Sequence, residues 1–231
     1  MNLQQEADKI RQRYYRRVAK DKSPFYSAVN GSAAISFIEK YFHITQLLYK
    51  FFGYDFTEKF YLEVGCGTGT NLLLLLMLGI PADHLAGNDI FAPSLQTARI
   101  RLPEAVRLEY NNFLDIKYVP ESCDCIFLST VLSSILDKEF QKQMMQKCYA
   151  LLKPNGYLLI YDFVFDNPRN PDVKGISLPF LRQTEKWRQS AFKRVTLAPP
   201  IARRLSKFPL LINILTCMKF LNTHIIGFLQ K

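Results

Sequence analysis

The sequence has little of what a disulfide-stapled, zinc-bound or membrane-spanning protein requires. Its five cysteines, Cys66, Cys123, Cys125, Cys148 and Cys217, are odd in number, and their spacings fit neither a disulfide framework nor paired zinc knuckles. The chain is therefore expected to be reduced and cytoplasmic, with no metal site. Cys123 and Cys125, two apart in a strand, are expected to share one face as packing. The N-terminus has no basic stretch leading into an apolar core, so no secretory leader is expected. The most apolar runs, 72–80 and 208–221, are too short to cross a bilayer core of about 30 Å. What is abundant is positive charge, 30 Lys and Arg against 20 Asp and Glu. That balance favours anionic partners without choosing among them.

From Phe60 onward, short apolar runs alternate with helical patterns, which predicts an α/β fold with a parallel sheet covered on both faces. Strands are expected at 60–64, 84–89, 106–110, 124–129 and 157–161. Helices are expected through 72–77, after Pro93, and over 139–152 ahead of the Pro154-Asn155-Gly156 break. Residues 1–50, rich in aromatic and basic residues at helical spacing, predict an N-terminal helical cap on a main domain spanning 51–231. Two further β-rich stretches, 192–197 and 224–229, bracket a basic, apolar helical insertion at 199–222.

The strand ending in Glu63 and Val64 runs into Gly65-Cys66-Gly67-Thr68-Gly69 and then a helix. Glycines let backbone approach a ligand, and the following helix start offers free N–H groups. A dinucleotide site places its third glycine or alanine where this chain has Thr70, which argues against a dehydrogenase. Asp89, followed by Ile90, ends the second strand, where a carboxylate can accept from both hydroxyls of a ribose. Asn112 and Phe113 follow the third strand, placed to meet an adenine by hydrogen bond and ring contact.

On these residues the chain resembles the class I methyltransferases that use S-adenosylmethionine. The resemblance implies a Rossmann-like seven-stranded sheet, mostly parallel, with an antiparallel last strand. It implies S-adenosylmethionine as cofactor, with Glu63, Gly65, Cys66, Gly67 and Gly69 at the methionine end and ribose, Asp89 and Ile90 at the ribose, and Asn112 and Phe113 at the adenine. Ser129 would lie by the sulfonium and Thr130 by the entering acceptor. Tyr14 or Arg17 of the cap would close over the cofactor carboxylate. Ser129-Thr130-Val131, Tyr161-Asp162-Phe163, 167–173, Leu197-Ala198-Pro199-Pro200 and Thr223-His224 further resemble bacterial members tied to polysaccharide and glycolipid biosynthesis. That implies a sugar, glycan or other small-molecule hydroxyl as acceptor. Asp162 and His224 are the candidate bases, and Asn167, Arg169 and Asn170 the candidate acceptor contacts.

Two rival readings stay open at this stage. A nucleic-acid acceptor such as RNA suits the charge, although the Asn/Asp-Pro-Pro-aromatic motif of base-amine enzymes is missing after the fourth strand. A protein that holds S-adenosylmethionine without turning it over would carry the same loop. The insertion at 199–221, with Arg203, Arg204 and Lys207 beside an apolar run, is a candidate for peripheral contact with an anionic membrane.

Overall fold

A computed structural model describes residues 3–19, 30–166 and 170–231. Seven strands form one sheet: β1 Tyr61–Val64, β2 Leu85–Asp89, β3 Arg107–Tyr110, β4 Cys123–Ser129, β5 Leu152–Phe163, β6 Gln189–Leu197 and β7 Asn222–Gln230. Their order is β3-β2-β1-β4-β5-β7-β6. The first five pair with one another in parallel, and β7 runs antiparallel between β5 and β6. The expected architecture and the antiparallel last strand are both present. The chain order reverses on either side of β1 and β4, so the crevice beyond their carboxyl ends is where an open α/β sheet binds ligands.

Helices cover both faces because each central strand alternates apolar side chains on its two sides. On one face Leu62, Val64, Ile126, Leu128, Leu158 and Ile160 pack with Ala7 and Ile10 of α1 (Leu3–Ala19) and with Phe140, Met144 and Cys148 of α5 (Lys138–Leu151). On the other, Tyr61, Leu85, Phe127 and Leu159 pack with Ile44 and Leu48 of α2 (Gly31–Phe52), with Leu72 and Leu75 of α3 (Thr70–Met77) and with Leu95 of α4 (Ala92–Arg101). The N-terminal helices are thus built into the two cores, one on each side. In α1 the buried positions Glu6, Ala7, Ile10 and Arg13 recur at helical spacing while Asp8, Lys9, Gln12 and Arg16 face solvent.

Cys123 and Cys125 do not share a face as expected. The pairing of β4 with β5 shifts register between Cys123 and Cys125. An irregularity of that kind breaks the strict alternation of faces, so Cys123 joins the first core and Cys125 the second. Strand β5 is also longer than expected, starting at Leu152 and running through the proline-glycine segment. After β6 come α7 (Pro199–Arg204) and α8 (Pro209–Thr216), and α6 (Leu178–Gln183) precedes β6. Among the described residues, no helix is long and apolar enough to cross a membrane.

Candidate active site

The loop from β1 to α3 is built from left-handed backbone: φ is +70° at Gly65, +54° at Gly67 and +76° at Gly69. A Cβ at Gly69 would lie 2.7 Å from Leu102 Cδ1, so that glycine serves helix packing. At Gly67 a Cβ would meet no atom within 4 Å, so that glycine lines open space where a ligand can approach the backbone. Arg101 from α4 donates to the Thr68 carbonyl at 2.9 Å and clamps the outer side of the loop.

Asp89, at the end of β2, accepts from the amides of Gly67 and Phe91, both at 2.7 Å. Burial raises its pKa above the ordinary value, and the amides of Phe91, Gly67 and Ile90 oppose that rise. Each carboxylate oxygen keeps a second acceptor site, so Asp89 holds the glycine loop in place and remains able to take ribose hydroxyls. Ile90 is half-buried and packs against the first core. Beyond β3, Asn112 is turned into its own loop, where its side-chain carbonyl accepts from the Leu114 amide and its amide donates to Asp115. Phe113 is buried beside it.

Two residues the sequence did not point to, Lys40 and Asn71, meet the expected Glu63 under α2. Glu63 is buried and one of its oxygens accepts from the Asn71 side chain, but its Oε2 and the Asn71 Oδ1 are buried without any partner. Burial pushes the Glu63 carboxyl up to about 7, partly offset by Asn71 and by the charge of Lys40. Lys40 lies over the faces of Tyr161 and Phe37, 5.4 and 5.9 Å from their centroids, and forms no ion pair among the described residues. Burial lowers its pKa, and only Glu63 works against that. Two orphaned acceptors and an unpaired cation are the complement of an α-amino-acid group, whose ammonium and carboxylate would satisfy both. By that test the residues present fit the methionine end of S-adenosylmethionine. Of the two residues missed, Asn71 has a local signal, as a polar residue opening a leucine run; Lys40 has none.

At the carboxyl end of β4, Ser129 is half-buried and Thr130 holds φ +56°, a conformation a β-branched residue rarely adopts. It is held there because its amide donates to the Tyr161 carbonyl and its hydroxyl to the Ser129 carbonyl, both at 2.7 Å. Asp162, fully buried, accepts from the amides of Ser133 at 3.1 Å and Phe163 at 2.8 Å. Burial pushes its carboxyl up to about 6. His224 pairs with Phe163 across β5 and β7 and stacks on Tyr161 with centroids 4.8 Å apart. Burial first, and then Lys40, push it down to about 3, so the ring is neutral at working pH. Its Nδ1 lies 3.2 Å from Thr223 Oγ1.

Helix α1 covers the carboxyl edge. Arg13 donates to Glu6 at 2.7 Å and to the Ser134 carbonyl at 3.1 Å, and Glu6 also accepts from the Leu136 amide. Tyr14 stacks on Phe91, 5.6 Å between centroids. Burial and the charge of Asp89 raise its hydroxyl, and the stack on Phe91 sets the ring beside the end of β2. Arg17 instead donates to the Asp172 carbonyl at 3.0 Å. Asn167 and Arg169 lie outside the described residues, and Asn170 accepts from the Asp172 amide in a turn. The arrangement supplies a cradle for an adenosyl amino acid, a small polar floor at Ser129 and Thr130, and a neutral imidazole on the far side.

This sheet order, with a glycine loop after β1 and an acid ending β2, is the class I methyltransferase fold. Residues 62–156 match the family model described as a methyltransferase domain, and S-adenosylmethionine is the cofactor that goes with such domains. An uncharacterized protein of Haemophilus influenzae is 29% identical over 111 residues, a match covering 46% of this chain and 43% of that protein. The chain thus spans under half the length of the curated relative it matches. The PH0226 protein of Pyrococcus horikoshii superposes with a TM-score of 0.61 at 16% identity, over 95% of this chain and 99% of that one. A SAM-dependent methyltransferase of Archaeoglobus fulgidus does so with a TM-score of 0.58 at 16% identity, over 83% and 92%. At such identities the likeness is one of fold.

Proposed function

We propose that the whole protein is an S-adenosylmethionine-dependent methyltransferase acting on a hydroxyl of a sugar, glycan or other small molecule. The observation that carries the reading is the set of unsatisfied groups Glu63 Oε2, Asn71 Oδ1 and Lys40 beside the open backbone at Gly67. Glu63 and Asn71 take the ammonium, Lys40 the carboxylate, Asp89 the ribose hydroxyls, and the loop at Asn112 and Phe113 the adenine. Bound there, the cofactor supplies an electrophilic methyl, so the protein's task is to align an acceptor and exclude water. Ser129 and Thr130 position the acceptor. His224, kept neutral by its burial, has a ring nitrogen able to accept the hydroxyl proton. Asp162 acts at one remove, by fixing the 132–134 turn through the Ser133 amide. A hydroxyl acceptor suits this floor because neutral polar groups line it; the bacterial glycan-associated motifs point the same way.

The test is release of S-adenosylhomocysteine when purified protein meets glycan and glycolipid hydroxyl acceptors. His224→Ala should lower kcat at least tenfold and leave S-adenosylhomocysteine affinity unchanged. No binding of that product removes the cofactor reading. Binding without turnover on any hydroxyl acceptor, or turnover on RNA, removes the acceptor reading alone.

A further inference from the structure

The insertion α7–α8 is apolar on two sides. Its inner side closes a small core, in which Leu197, Ala202 and Ile212 are buried and Ile35, Leu205 and Leu215 partly so. That contact explains why the segment is helical and where it sits. It does not explain the outer side, where Phe208 is 61% exposed, Leu210 77%, Ile214 63% and Phe220 69%. A surface helix normally presents polar residues to water, and one that is apolar all round has something covering it. Helix α2 packs against both α7 and α8 and extends the surface with two more exposed apolar side chains, Ile38 and Phe42.

The charge of the segment indicates what covers it. Residues 199–221 contain Arg203, Arg204, Lys207 and Lys219 and no aspartate or glutamate, and all four cations lie at exposed positions. An apolar face rimmed by cations of one sign is complementary to a surface that is anionic in its headgroups and apolar just below. We propose that α7, α8 and the 219–221 turn form a docking face for an anionic lipid membrane, with Phe208, Leu210, Ile214 and Phe220 entering the headgroup boundary. The geometry also places this face next to the candidate site. Ile38 and Phe42 sit two residues either side of Lys40 on the same helix, so docking holds α2, and the cleft beneath it, against the membrane. The proposal does not depend on the methyltransferase reading.

The experiment is co-sedimentation of the full chain with vesicles of phosphatidylglycerol and phosphatidylcholine against vesicles of phosphatidylcholine alone, at low and high salt. The expected result is binding to the anionic vesicles only, weakened by salt. Replacing Leu210, Ile214 and Phe220 together by serine should weaken binding at least about tenfold, and replacing Arg204 and Lys207 by glutamine about thirtyfold. Melting temperatures should stay unchanged in both variants, because every altered side chain is exposed. No sedimentation with anionic vesicles overturns the proposal. Binding that the serine variant retains in full overturns it too, since a merely cationic surface would then be responsible. A dimer in solution that the same serine variant dissociates, with no vesicle binding, assigns the face to a second copy instead.

Discussion

Lys40→Met removes the ammonium from the cleft and keeps an unbranched apolar stem of similar length over Tyr161 and Phe37. If Lys40 meets the cofactor's carboxylate, the loss is that of a charge-assisted hydrogen bond, about 1.5–3 kcal/mol, or roughly ten- to 150-fold in affinity. The loss falls only on ligands with an amino-acid end. Isothermal calorimetry should therefore show S-adenosylhomocysteine weakened by that factor while methylthioadenosine, which keeps the nucleoside and the sulfur, binds as before. A second consequence follows from the charge of Lys40, which works against the raised pKa of Glu63. Without it Glu63 takes up a proton more readily, so part of the affinity lost near neutrality should return at about pH 8.5. Equal weakening of both ligands would mean that the substitution moved α2 rather than removed a contact, and an unchanged S-adenosylhomocysteine affinity would remove Lys40 from the site.

Other outcomes follow from the same geometry. The Glu63 carboxyl sits at about 7 in the folded protein against an ordinary 4.5, so the folded state holds a proton that the unfolded chain has released between those values. Ligand-free stability should fall as pH rises through that window, and binding of an ammonium-bearing ligand should release a proton, seen as buffer-dependent calorimetric heats that Glu63→Gln abolishes. Thr130→Gly relieves a left-handed conformation costing about 1–2 kcal/mol, against about 0.5–1 kcal/mol of added chain entropy. It should leave the melting temperature level or slightly raised while lowering kcat, and a clear loss of stability would contradict the strain. Arg13→Met strands Glu6 in a buried site and should cost about 3–5 kcal/mol, read by denaturant titration, with Glu6→Gln in the same chain restoring part of it.

What was legible in the sequence is what lies in contiguous residues. The strand, glycine loop and helix start at 60–77 form one local unit, and the acid ending β2 recurs at a fixed place in the same unit of fold, so both were readable from spacing. The antiparallel β7 came with the family resemblance. What was not legible depends on packing between distant elements. Nothing near Lys40 in the chain says that α2 crosses the sheet above Glu63 and His224. The alternation rule put Cys123 and Cys125 on one face, and a single register shift separated them. Asn112 was expected at the adenine, and its hydrogen bonds to Leu114 and Asp115 within the loop follow from a local turn that spacing does not reveal. The strain at Thr130 has no signature in residue type at all, since threonine is a poor choice for that backbone.

The electrostatics of the site bear on how it works. The buried acids Glu63, Asp89 and Asp162 all have their pKa raised, and His224 is held neutral. Such a site has no strong base ready at neutral pH, and a reaction that depended on full deprotonation of the acceptor would be poorly served by it. A reaction whose electrophile arrives already activated needs something else: a dry cleft, fixed orientation, and an acceptor for a proton that becomes acidic only as the new bond forms. The two N-terminal helices meet the first need, α1 through the Glu6–Arg13 pair clamped to the 134–136 turn and α2 through Tyr41, which donates to the Thr70 carbonyl at 3.1 Å. Each helix is thus hydrogen-bonded to the segment that follows a central strand, α1 to the one after β4 and α2 to the one after β1.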